Sequence, residues 1–192
     1  MVVLKFVIWV TIAYFIGNIS PSILLGKATG VDIKKEGSGN AGTTNALRVL
    51  GKKAALITLV VDIAKGALAV WLGFSFGNST IGMVCALAVF CGHIWPCFYS
   101  FKGGKGVATA FGAILAINWV LALIALSTVA IGLGVTRRMS VGSLLGALTF
   151  PIACKFIEPE FLYVGTVMAV IIIIKHRANI KRLFKGEEPK MF

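Results

Sequence analysis

Residues 107–135 read VATAFGAILAINWVLALIALSTVAIGLGV, a run of 29 residues without a single charge. A helix of about 20 residues spans a bilayer, so length alone allows this run to cross once or twice. The surrounding charge decides between them. Basic residues gather in 27–53 (Lys27, Lys34, Lys35, Arg48, Lys52, Lys53), 100–106 (Lys102, Lys105), 136–140 (Arg137, Arg138) and the tail from Lys175. These four segments hold 16 of the 19 lysines and arginines. One crossing would put Arg137, Arg138 and the tail on the opposite side from the first two segments. A fold-back near Asn118-Trp119 puts all four on one face, as the positive-inside rule requires. The sequence therefore predicts an all-α, polytopic integral membrane bundle of seven transmembrane helices, N-terminus outside and C-terminus cytoplasmic. In that reading 107–117 is too short to span unaided and must lie against neighbours or in a thinned bilayer.

The other apolar blocks, 6–26, 54–74, 80–99, 141–154 and 161–174, agree with lipid as the solvent. The chain is 58% hydrophobic and 14% charged, against about 25% charge in soluble domains, and its mean hydropathy is +0.92. The first block has only Lys5 ahead of it and no small-x-small cleavage site, so it reads as a permanent helix. No linker or repeat divides the chain, which reads as one domain, 1–192. A net charge of +12 would suggest nucleic acid in a soluble protein; here it reads as topology plus an anionic partner, and no nucleic acid is expected. Cys85, Cys91, Cys97 and Cys154 form no CxxC pair, and Cys91, His93 and Cys97 do not share a helical face. They read as buried free thiols, with no metal expected. Asp62 and Lys65 lie three apart in an apolar block and so can meet as a structural ion pair near the site.

Polar chemistry is confined to three segments on the expected cytoplasmic face. The first is Gly37-Ser38-Gly39-Asn40-Ala41-Gly42-Thr43-Thr44-Asn45, followed by Arg48. Its glycines let backbone N–H groups approach an anion, its hydroxyls and amides add neutral donors, and Arg48 can grip a phosphate bidentately. The second, Lys102-Gly103-Gly104-Lys105-Gly106-Val107-Ala108-Thr109, runs into a helix, whose N-terminus favours anions. It is not a nucleotide P-loop, because Gly106 stands where Ser or Thr must follow the lysine. The third, from Lys175-His176-Arg177-Ala178-Asn179 through Arg182 to Glu187-Glu188, is an interfacial basic segment with His176 at the membrane boundary and Asn179 one turn on.

At these residues the chain resembles the bacterial acyl-phosphate-dependent glycerol-3-phosphate acyltransferases, the PlsY family. GSGNAGTTN with Arg48, Gly92-His93 through GGKGVAT, and HRANIKRLFKGEE are similar to its three signatures, in order, and Asp62-x-x-Lys65-Gly66 is similar to a further family step. The resemblance implies transfer of a fatty acyl group from acyl phosphate to the 1-hydroxyl of sn-glycerol 3-phosphate, giving lysophosphatidic acid and phosphate. It implies no coenzyme A, acyl carrier protein, cofactor or metal, and a site facing the cytoplasm from the bacterial inner membrane.

An acyl phosphate is already an activated anhydride, so the chemistry needs alignment, charge neutralisation and oxyanion stabilisation. Direct attack without an acyl-enzyme is expected. Ser38, Arg48 and His176 are the catalytic candidates. Gly37, Gly39, Asn40, Thr43, Asn45, Gly103, Gly104, Lys105, Gly106, Thr109, Asn179 and Arg182 are the substrate-binding candidates, His176 and Asn179 positioning glycerol 3-phosphate. His176 suits a general base at neutral pH, but the resemblance suggests that a donor phosphate oxygen takes the proton. Glu188 is expected to order the third segment by pairing with a nearby cation. The alternative, a membrane transporter of a phosphate ester or anion, requires a polar path through the bilayer, and beyond Asp62 and Lys65 the apolar blocks offer little.

Overall fold

The computed structural model describes residues 2–191. Among them the ordered elements are helical: α1 Val2–Gly17, α2 Pro21–Ala28, α3 Thr43–Val49, α4 Lys52–Phe76, α5 Ser79–Ile94, α6 Val107–Ile117, α7 Trp119–Thr136, α8 Met139–Ile157, α9 Leu162–Lys175 and α10 Arg177–Phe184, with two short 3-10 turns. Five segments are long and apolar enough to cross a membrane: Val2–Ala28, Lys52–Phe76, Ser79–Tyr99, Trp119–Thr136 and Met139–Ile157. A sixth is Pro159–Lys175 if counted with Arg177–Phe184, from which it is bent by 53°, and α6 is a shorter apolar helix. The outward faces stay apolar, as at Val135, Phe156 and Leu148, which suits helices solvated by lipid.

The uncharged run breaks at Asn118. Its Oδ1 accepts hydrogen bonds from Val120 N at 3.0 Å and Leu121 N at 3.4 Å, capping α7, while its Nδ2 donates to Glu158 Oε2 at 3.0 Å. Asparagine is a strong N-cap because its side chain satisfies donors that a helix start leaves open.

The residues pack as two compact units, Met1–Ile117 and Asn118–Phe192. In the first, α4 packs against α6 and α5, and α1 against α5. Small residues permit the approach: a Cβ at Gly66 would overlap Thr109 O, and one at Gly112 would overlap Ile63 O. Such close backbone contact is how apolar helices associate where lipid removes the hydrophobic drive. Ala13, Ala69, Ile81, Cys85 and Val89 form one core between α1, α4 and α5. A second core, Ile23, Ile33, Ala41, Ala46 and Ala55, lies beneath the 31–45 loop and anchors it. In the second unit α7 packs on α8 and α8 on α9, with Phe150 and Phe161 edge to face at 6.2 Å. All four cysteines are free thiols.

Candidate active site

The first loop is built around one side chain. Asn45, 1% exposed, accepts from Ser38 N at 2.9 Å and donates to Ile33 O and Glu36 O, both at 3.1 Å. Gly37 sits at φ 59°, and a Cβ there would overlap Asn45 Oδ1. Glycine adopts that backbone without penalty, and here it also leaves room for the amide. Asn45, expected to touch substrate, is placed here as the brace of the loop. Its oxygen and both amide hydrogens are engaged in shaping the loop. Gly39, at φ 67°, packs against Lys34 O, and Asn40 lies against Gly42. Ser38 is exposed, whereas Thr43 Oγ1 is buried without a hydrogen-bond partner. Arg48, on α3, is exposed and makes no ion pair or side-chain hydrogen bond with another described residue. A cleft of about 530 Å³ flanks this loop, lined by Ile23, Lys27, Lys34 and Tyr99 among others. Burial holds the Lys34 ammonium below its ordinary pKa, aided by repulsion from Lys102 and Lys27 and opposed by Asp32.

The glycines of the second loop also do something other than the sequence suggests. Gly103 N donates to Ile94 O and Gly104 N to His93 O, each at 3.1 Å. A Cβ at Gly104 would overlap the His93 ring, and one at Gly106, at φ 86°, would overlap Phe90. Gly103 and Gly104 thus fit the loop onto the end of α5, and their N–H groups are not available to a ligand. The donors left open are those of the first turn of α6, after Gly106, whose carbonyl accepts from Ala110 N at 2.7 Å. Lys105 is half-buried beside them. Thr109 lies deeper than the loop. It is fully buried, its carbonyl lies against Gly66 of α4, and its hydroxyl has no hydrogen-bond partner among the described residues.

Asp62 and Lys65 meet in the interior of α4, with Lys65 Nζ 2.7 Å from Asp62 Oδ1 at an angle outside ideal hydrogen-bond geometry. Lys65 Nζ also donates to Ile19 O at 2.6 Å and lies 2.9 Å from His93 Nδ1. Asp62, Lys65 and His93 are 1%, 4% and 5% exposed.

In the second unit the chain bends at His176 between α9 and α10. The ring is 2% exposed, and its Nδ1 donates to Ile172 O at 2.8 Å. A carbonyl only accepts, so Nδ1 carries the proton in this contact. Glu188 ties the segment together: Asn179 Nδ2 donates to Oε1 at 2.6 Å, Arg182 Nε to Oε2 at 2.7 Å, and Arg138 Nε to the backbone carbonyl at 2.9 Å. Burial pushes the Glu188 carboxyl up, but hydrogen bonds from Asn179 and Arg182 and the Arg182 charge outweigh it, holding the group below its ordinary value. Asn179 and the Nε edge of Arg182 therefore face a protein carboxylate.

The profile of one enzyme family, glycerol-3-phosphate acyltransferase, matches residues 7–186. The protein of that name from Trichlorobacter lovleyi is 41% identical over 185 residues, 95% of each chain. The one from Thermoanaerobacter pseudethanolicus is 42% identical over 183 residues, 94% of this chain and 92% of its own. The chain belongs to the glycerol-3-phosphate acyltransferase family. A solved structure of PlsY, described as an integral membrane glycerol 3-phosphate acyltransferase in its glycerol 3-phosphate form, matches with a TM-score of 0.92. It is 31% identical over 96% of this chain and 94% of its own. The lysophosphatidic acid form of PlsY matches with a TM-score of 0.86. Within this acyltransferase fold His93, quoted in the sequence only as part of the second signature, has buried polar neighbours that its spacing did not reveal. Grouped by spacing with Cys91 and Cys97, it lies instead against Asp62 and Lys65, and the usable signal was its place ten residues before the Gly103-Gly104 pair, at a helix end.

Proposed function

We propose that this acyltransferase moves a fatty acyl group from acyl phosphate to the 1-hydroxyl of sn-glycerol 3-phosphate, releasing lysophosphatidic acid and inorganic phosphate. The observation that carries the reading is Arg48: an exposed guanidinium with no counter-charge among the described residues, beside a braced glycine loop in a chain of this family. Ser38, Thr43, Arg48, Lys105 and the first turn of α6 hold the donor phosphate and carbonyl. His176 positions glycerol 3-phosphate, with Asn179 and Arg182 shaping that subsite. The acceptor hydroxyl oxygen attacks the acyl carbonyl, the bond from that carbon to the phosphate oxygen breaks, and the hydroxyl proton leaves on the departing phosphate. No acyl-enzyme forms, and alignment with charge neutralisation supplies the rate.

In this reading the chemistry lies in a bacterial inner membrane, in seven passes with the N-terminus outside and both glycine loops cytoplasmic. The break at Asn118 and the four basic segments support that topology. The test is purified protein in lipid, given palmitoyl phosphate and labelled glycerol 3-phosphate with metals chelated, and palmitoyl-CoA in a parallel tube. Lysophosphatidic acid from the phosphate donor alone is expected. No product from either donor, from demonstrably folded protein, overturns the proposal. Assignment of the base to His176 instead would require a pH–rate limb near neutrality that His176→Gln abolishes.

A further inference from the structure

We propose that His93 is a positioning residue for the 103–106 loop, fixed in the Nε2–H tautomer by the buried Asp62–Lys65 pair and holding the start of α6 where it meets the donor phosphate. The last clause rests on the function proposed above; the tautomer and the grip on the loop do not.

The tautomer follows from hydrogen counting. As the cation of its ion pair, Lys65 has three hydrogens and no lone pair. It faces Ile19 O at 2.6 Å, Asp62 Oδ1 at 2.7 Å and His93 Nδ1 at 2.9 Å. The last contact requires a lone pair on Nδ1. Asp62 Oδ1 also lies 3.3 Å from Nδ1, but that contact would need a hydrogen on the same nitrogen, and the shorter one decides. The ring hydrogen is therefore on Nε2, the edge that faces Gly104, where an added Cβ would overlap Nε2.

His93 grips the loop twice. Its carbonyl accepts from Gly104 N at 3.1 Å while its ring fills the space beside Gly104 Cα. The same ring rests on α4 through Lys65, which reaches the turn between α1 and α2 at Ile19. A buried ion pair is a costly way to stabilise an apolar helix, since hydrophobic replacements often do as well. Its use here is directional: it orients one imidazole at the base of one loop. Loss of the ring frees Gly104 and lets the first turn of α6 drift, which weakens donor binding before it affects the acceptor.

The full-length protein labelled with 15N-histidine gives the most direct readout, because His93 and His176 are the two histidines of the chain and His176→Gln assigns them. The expected spectrum shows His93 with an unprotonated, pyridine-like Nδ1 and a protonated Nε2, and Gly104→Ala shifts the His93 signals without moving those of His176. A protonated Nδ1, or His93 signals indifferent to Gly104→Ala, overturns the proposal. In kinetics, His93→Phe keeps ring volume but removes both nitrogens. It should raise KM for palmitoyl phosphate about tenfold, as loss of one well-placed hydrogen bond does, and leave KM for glycerol 3-phosphate within about twofold. His93→Asn, whose Oδ1 falls near the Nδ1 position and can accept from Lys65, should recover most of that loss. A fall in kcat with both KM values unchanged, or an Asn variant no better than Phe, reduces His93 to a packing role and overturns the proposal. If wild-type protein makes no lysophosphatidic acid, the proposed function fails while the spectra still decide the tautomer and the grip.

Discussion

In the first unit the two glycine loops are held by neutral groups, the Asn45 amide in one and the carbonyls of His93 and Ile94 in the other. In the second unit the C-terminal segment is held through a carboxylate, with Glu188 gathering Asn179 and Arg182 while its backbone carbonyl takes Arg138. The direct braces of the first loops are uncharged acceptors and an amide, and no anion among the described residues pairs with Arg48. The charged clasp ties the second segment's order to the ionisation of one side chain, and it engages Asn179, a residue that its spacing had suggested for substrate.

The largest effect that could break this comparison comes from Arg48. Arg48→Ala should lower kcat/KM about 100-fold, the worth of a charge-assisted bidentate contact, with Tm unchanged. A lower Tm would mean that Arg48 has a structural partner after all. Next comes Gly104→Ala, whose methyl meets the His93 ring; overpacking costs about 1–3 kcal/mol, and kcat/KM should fall on the order of tenfold or more. Asn45→Ala should show the opposite signature from Arg48→Ala. Leaving its buried partners unpaired costs about 1–3 kcal/mol, so Tm should drop by several degrees and activity should fall with it.

The smallest effect tests the clasp. Because the folded Glu188 carboxyl sits below its ordinary value, its stabilising contribution is complete above the ordinary carboxylate range. It is lost as pH falls through the lowered folded value. Tm measured from pH 7 into acid should therefore decline in the wild type. In Glu188→Gln it should start lower and decline less. Parallel curves would show that the clasp does not depend on charge.

The helical membrane architecture was legible in the sequence because uncharged length and the placement of lysine and arginine are one-dimensional facts, and the break at Asn118 follows from a capping residue in an apolar run. The three polar segments were legible for the same reason. The direction in which each residue faces was not. Asn45 and Thr109 sit in polar-rich motifs yet turn inward, one to brace a loop and the other to meet Gly66. Gly103 and Gly104 look like approach points for a ligand but fit the loop to α5. His93 was obscured because its partners, Asp62 and Lys65, are brought to it only by the packing of α4 on α5.

The division of labour between the two regions is tested most directly by steady-state KM values for both substrates in Arg48→Ala and His176→Gln, measured side by side. The proposed function requires Arg48→Ala to raise KM for palmitoyl phosphate and His176→Gln to raise KM for glycerol 3-phosphate. If both substitutions raise the KM of the same substrate, that division is wrong.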